Sequence, residues 1–157
     1  MLNNLNQKFY KTLSITLLLF TFSSCSEPDY TLSDGSSGFI EDLQDRWIVV
    51  NYWADWCPPC IKEMPELTEF YSDNSKKVTV FAYNYDELDG EDLEEQLLRF
   101  KVNIPSILTN PGLLFGWEPP ESLPATYFVD TKGNFKKMII GPQTKESLEL
   151  ILSTLEN

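Results

Sequence analysis

The segment from Trp47 to Cys60 constrains the fold more than any other part of the chain. Trp47-Ile48-Val49-Val50-Asn51-Tyr52-Trp53 is a near-continuous apolar and aromatic run. Its length suits a strand, and its lack of alternation predicts a strand covered on both faces. Soon after comes Cys57-Pro58-Pro59-Cys60, followed by Met64, Leu67 and Tyr71 at helical spacing with Cys60. Prolines fit the first turn of a helix, where the N–H groups have no partner inside the helix. Pro65 lies deeper and should kink this helix. The sequence thus places two cysteines where a buried strand turns into a helix. Reactive groups of open α/β sheets gather at such carboxyl ends of strands.

The remaining elements extend this unit. Val78 to Tyr83 reads as a second strand and Glu91 to Val102 as a helix with Leu93, Leu97 and Leu98 inward. Ile104 to Leu108 reads as a short strand. Thr126 to Val129 and Phe135 to Ile140 read as two strands joined by the turn-forming Asp130-Thr131-Lys132-Gly133-Asn134. Leu148, Ile151, Leu152 and Leu155 close the chain at helical spacing. The order β-α-β-α-(β)-β-β-α predicts an α/β fold: three layers, a mixed central sheet and helices on both faces.

Three segments divide the 157 residues. Residues 1–24 read as an export signal, with Lys8 and Lys11 before the apolar Leu13 to Phe22. That apolar run is shorter than the roughly 20 residues of a membrane span. Phe22-Ser23-Ser24-Cys25 resembles a bacterial lipobox, with Phe22 where Leu is usual. The resemblance implies a lipidated Cys25 as the mature N-terminus. The plain alternative is a cleaved signal with an incidental cysteine. Ser26, rather than Asp, follows Cys25, and in enterobacterial lipoproteins that implies the outer membrane. Residues 25–38, rich in serine and glycine, read as a flexible tether. Residues 39–157 read as one folded domain.

Composition removes whole classes of chemistry. There is no histidine, so Cys-His hydrolases, His general bases and His-ligated metals are excluded. The formal charge is −12, without a basic patch, which argues against nucleic-acid binding. Loss of Lys8 and Lys11 with the signal takes that charge to −14. The three cysteines are an odd number for an exported protein, and a lipidated Cys25 leaves Cys57 and Cys60 as a pair. Zinc would need two further Cys or His ligands, and only Cys25 remains. A structural bridge between residues so close in sequence would stabilise little, because it closes a short loop. A redox pair is the better reading. Cys57, at the positive end of the helix dipole, is the exposed attacking thiolate. Cys60, one turn in, resolves the mixed disulfide. No cofactor and no metal are expected.

Trp53-Ala54-Asp55-Trp56-Cys57-Pro58-Pro59-Cys60, with Pro65 downstream and Leu123-Pro124-Ala125-Thr126 before a strand, resembles the thioredoxin superfamily. The nearest branch is the TlpA-like exported reductases, which include the cytochrome c maturation thioredoxins. The resemblance spans Trp47 to Leu155. It implies a thioredoxin-like fold, a supporting Trp56, and Pro124 as a cis-proline facing the disulfide. It also implies that the Leu123 backbone pairs with an extended substrate. An ordinary trans proline is the alternative for Pro124. Asn51 stands where cytosolic thioredoxins carry a buried Asp, and Asn cannot accept a proton. The branch often has a Glu at position 63. Glu63 is therefore either a carboxylate that tunes Cys60 or a solvated helix residue.

The resemblance further implies oxidised exported proteins as clients, apocytochrome c or its maturation factors among them. It implies a transmembrane thiol donor and a site on the periplasmic side of a bacterial membrane. Pro58 and Pro59 bring no N–H to Cys57, which tilts the reading from oxidase or isomerase toward reductase. A thiol-based metal chaperone is a third possibility, although copper-delivery relatives use a histidine that is missing here. Seven acids between Asp86 and Glu95 read either as a solvated face or as a rim that selects basic clients.

Overall fold

The structure, a computed structural model, describes residues 26–157. The expectations for Lys8, Lys11, Leu13 to Phe22 and Cys25 lie outside the described residues.

The first apolar run forms β3 (Trp47–Trp53), and all seven of its residues are buried. It pairs in parallel with β4 (Val78–Asn84) and antiparallel with β5 (Ala125–Val129), and β6 (Phe135–Ile140) completes the sheet order β4-β3-β5-β6. Helix α1 (Pro58–Asn74) makes the crossover from β3 to β4. One face of β3 sends Val49 and Trp53 into a core with Met64, Leu67 and Phe70 of α1. Leu93 of α2 (Gly90–Arg99) and Leu148 and Leu152 of α4 (Lys145–Leu155) join that core. The other face sends Ile48, Val50 and Tyr52 into a second core with Tyr30, Phe81, Tyr83 and Tyr127. A 3₁₀ turn (Ile40–Leu43) and the short α3 (Pro111–Phe115) cover this side. This double cover is why the run is apolar without alternation. Each such side chain gains about 1.5–3 kcal/mol on burial. The fold is α/β and thioredoxin-like.

Several boundaries differ from the expectation. Residues 30–38, expected to lie in the tether, carry structure instead, since β1 (Tyr30–Thr31) pairs with β2 (Ser37–Gly38). Asp29 fastens it twice: its N–H donates to Gly38 O at 3.0 Å, and its carboxylate accepts from Ile40 N at 2.8 Å. The buried Tyr30 ring lies over Gly38, where any Cβ would collide with it. A single aromatic in a polar stretch has no periodicity to reveal this. Helix α1 continues through Pro65 to Asn74. Helix α2 stops at Arg99 rather than 102, because Lys101 adopts φ 54° and Val102 N–H returns to Leu97 O at 2.9 Å. This Schellman closure normally uses Gly, so a lysine at position 101 carries no signal for it. Residues 104–108 do not form a full strand. They make isolated bridges, Ser106 to Ala82 and Ile107 to Leu32, since Pro105 has no N–H to extend a ladder. The Asp130–Asn134 hairpin forms as expected, with Asp130 Oδ1 accepting from Lys132 N and Asn134 N, each at 2.9 Å.

Candidate active site

The chain leaves β3 at Trp53 and enters α1 at Pro58, and the cysteines straddle that junction. Cys57 is the N-cap of α1, and Pro58 and Pro59 fill its first two positions. Cys57 and Cys60 form a disulfide, with Cα atoms 5.3 Å apart. The backbone N–H of Cys60 donates to Cys57 Sγ at 3.3 Å, and Pro58 and Pro59 have none to offer. Cys60 is 0 % exposed. Cys57 was expected to be exposed, but it is 4 % exposed, packed with Trp53 and Ala54 in the larger core. The bond to Cys60 draws its sulfur against the protein. The accessible group is Trp56, 59 % exposed.

Trp56 is held from the next loop. Its Nε1 donates to Asp86 Oδ2 at 2.8 Å, and Tyr85 stands edge-on to it with centroids 6.2 Å apart. Tyr85 N–H donates to Trp53 O at 2.8 Å, which ties the exits of β3 and β4 together. Asn84 Oδ1 shapes the turn by accepting from Asp86 N at 3.0 Å. Glu87 accepts from Tyr83 Oη at 3.0 Å. Two acids of the expected solvated or selecting rim, Asp86 and Glu87, therefore have partners within the fold.

Glu63 lies one turn beyond Cys60 in α1 and is 2 % exposed, so it is not a solvated helix residue. Its Oε1 accepts from Asn51 Nδ2 at 2.8 Å, and its Oε2 accepts from the Gln143 backbone N–H at 2.7 Å. The same Asn51 amide donates to Thr126 Oγ1 at 3.1 Å. Burial pushes the Glu63 carboxyl up to about 7, against the pull of the Gln143 and Asn51 donors. Thr126 and Gln143 were not foreseen as site residues. Thr126 stood in the quoted Leu123–Thr126 motif, whereas Gln143 acts through its backbone, which no side-chain pattern reports.

The Leu123–Pro124 peptide bond is cis. It immediately precedes β5, whose register sets Ala125 beside Tyr52 and Thr126 beside Asn51 on β3. Leu123 packs against both cores, and Pro124 O accepts from Gly141 N at 2.8 Å. Among the described residues, no group of three or more His, Cys, Asp or Glu could hold a metal ion. No helix among them is long and apolar enough to cross a membrane.

Comparison with known proteins agrees with this geometry. Residues 21–152 match the Redoxin family. The chain is 31 % identical over 134 residues to the thiol-disulfide oxidoreductase ResA of Geobacillus thermodenitrificans, covering 82 % of this chain and 75 % of that protein. The crystal structure of StoA from Bacillus subtilis superposes with a TM-score of 0.62 at 27 % identity, covering 79 % of this chain and 96 % of that one. The pneumococcal exposed lipoprotein thioredoxin of Streptococcus pneumoniae shares the fold, with a TM-score of 0.63 at 23 % identity over 81 % of this chain and 96 % of its own. The chain belongs to the Redoxin family, within the TlpA-like branch, and is a thioredoxin-like thiol–disulfide oxidoreductase.

Proposed function

We propose that the protein is an exported reductase of protein disulfides. Cys57 thiolate attacks a client disulfide, forming a Cys57–client bond and releasing one client thiolate, which takes up a proton. Cys60 then loses its thiol proton and attacks Cys57 Sγ. This closes the Cys57–Cys60 disulfide and expels the second client thiolate, which is protonated in turn. Two electrons pass from the dithiol to the client. Glu63, one turn from Cys60 on the same helix and nearly dry, is the group proposed to receive the Cys60 proton. The Leu123 backbone, set by the cis Pro124, is proposed to pair with the extended client.

The observation that carries the reductase direction is the poverty of donors at Cys57. Its sulfur receives the Cys60 N–H, the prolines supply none, and the Trp56 indole N–H is committed to Asp86. A thiolate with few donors is weakly stabilised, so the reduced form gives up its electrons readily. The decisive measurement is the Cys57–Cys60 midpoint potential in a dithiothreitol or glutathione buffer. A value near about −270 mV is expected, and one near about −120 mV would make the protein an oxidase.

Its proposed setting follows from residues 1–25. Lipidated Cys25 would anchor the domain on the periplasmic side of a bacterial membrane, with Ser26 favouring the outer one. A transmembrane thiol donor would reduce it, and oxidised exported proteins of the apocytochrome c maturation route would be its clients. The lipobox-like Phe22-Ser23-Ser24-Cys25 supports the anchor. Mass spectrometry of the mature N-terminus tests it: a lipid on Cys25 is expected, and an unmodified N-terminus elsewhere rejects it.

A further inference from the structure

We infer that Asn51 and Thr126 are positioning residues that set the pH at which Glu63 changes its charge, and that they tie this setting to the strand led by the cis-proline. The inference rests on the proposed proton role of Glu63 and extends it to two residues that touch neither sulfur chemistry nor client.

Register brings these residues together. Asn51 of β3 and Thr126 of β5 are direct antiparallel partners, so both side chains project to the same face of the sheet. That face is the one α1 covers, since Val49 and Trp53, the neighbours of Asn51 in alternation, pack against α1. Asn51 and Thr126 are both 0 % exposed. The Asn51 amide thus has a dry carboxylate on one side and a dry hydroxyl on the other, at 2.8 and 3.1 Å. Its Oδ1 has no hydrogen-bond partner among the described residues. An orphaned buried carbonyl is costly. The amide accepts that cost in order to present its NH₂ group, not its oxygen, to Glu63.

Both Glu63 oxygens therefore face donors: the amide NH₂ and the Gln143 N–H. Such a site favours the charged form, and burial opposes it. The balance is local. The strands contribute only the neutral Asn51 and Thr126 here. On α1 the nearest acid is Glu66, which accepts from Lys145 N at 2.9 Å. From α4, the Lys145 ammonium pairs with Glu69 and Asp73 rather than with Glu63. The other titratable neighbour on the helix is the Cys60 thiol, once the disulfide is open. With no ion pair to Glu63 among the described residues, each neutral donor counts. Thr126 matters because its oxygen takes the second amide hydrogen and keeps the NH₂ group aimed. It lies two residues from Pro124, so a client that shifts the start of β5 also shifts this contact.

The test uses the oxidised full domain and follows the Glu63 carboxyl C=O stretch by infrared difference spectroscopy against Glu63→Gln. Asn51→Ala should raise the midpoint of that band by about one pH unit, the loss of a hydrogen bond to a charged group. Thr126→Val should raise it by less, and Thr126→Ser should restore it. A midpoint unmoved in both Asn51→Ala and Thr126→Val overturns the inference. If Asn51→Ala does not fold, the Thr126 pair still decides. A second measurement, the pH profile of mixed-disulfide resolution, separates the two claims. If the band moves and the profile does not follow, the positioning role stands and the proton role of Glu63 falls.

Discussion

The two cysteines look out on opposite environments, although they are three residues apart. On the Cys57 side, Trp56 is exposed and is held by Asp86, a carboxylate in solvent. On the Cys60 side, Glu63 is buried and accepts from an amide and a backbone N–H. Both carboxylates belong to the surroundings of the redox pair, Asp86 through Trp56 and Glu63 one turn beyond Cys60 in α1. Burial of Glu63 raises its proton affinity toward neutrality, up to about 7. On the proposed mechanism, the outer side would meet clients and the inner side would manage protons.

The sharpest way to break this division is to remove each sulfur in turn. Cys60→Ser should trap Cys57 in stable mixed disulfides with clients. Cys57→Ser should trap almost none, because the remaining thiol is fully buried. Non-reducing electrophoresis of the variants with an oxidised peptide reads the result. Equal trapping would reject the outer and inner roles.

Glu63→Gln attacks the inner side alone. Mixed-disulfide resolution at pH 7 should slow about 100-fold, a common contribution for a positioned acid or base. The same carboxyl links stability to pH. Its affinity for protons is raised in the folded state, from the usual 4.5 to about 7. The folded protein therefore holds a proton that the unfolded chain has released. That stability is fully present below about pH 4.5 and is lost as pH rises through about 7, amounting to about 3 kcal/mol. Urea unfolding at pH 5 and pH 8 should show the loss, and Glu63→Gln should flatten it. An equal decline in the variant would assign the pH dependence to other groups.

On the outer side, the effects should be smaller. Asp86→Asn keeps an oxygen to accept from the Trp56 indole and should behave as the parent. Asp86→Ala frees the indole and should raise the KM for a peptide disulfide by at most about fivefold, the worth of one ordinary hydrogen bond. Tryptophan fluorescence quenching by iodide should increase in the alanine variant. If it does not, the contact with Asp86 is not what holds Trp56.

The sequence carried the parts of this division that depend on side-chain type. The apolar run of β3, the Cys57–Cys60 spacing and the helical periodicity of α4 are local patterns, and each predicted its element. Cis Pro124 and Glu63 came from resemblance, since neither isomer state nor burial is written in spacing. What escaped depended on backbone and register. Gln143 contributes a main-chain N–H, Thr126 reaches Asn51 through antiparallel pairing, and Lys101 ends α2 with a positive φ that its type disfavours. The small β1–β2 hairpin escaped for a related reason: one buried tyrosine and one obligatory glycine fasten it, too few residues to form a pattern.

The smallest expected effect concerns the acids of the outer side that have no partner. Asp86 and Glu87 hold Trp56 and Tyr83, so replacing them would confuse charge with structure. Asp89, Glu94 and Glu95 are exposed and take no part in the ion pairs of the described residues. Each contributes only about 0.17 kcal/mol to an opposite charge about 25 Å away in water, or about 0.5 kcal/mol for the three together. Asp89→Asn with Glu94→Gln and Glu95→Gln should therefore lower the preference for a basic over an acidic peptide disulfide by about twofold at low salt. At about 1 M salt, where the screening length is near 3 Å, the variant and the parent should coincide. The effect belongs to encounter, so it should appear in kcat/KM and leave kcat unchanged. A preference that survives the triple substitution at low salt would show that these acids only solvate the helix. Client choice would then rest on the contacts of Trp56 and the cis-proline loop.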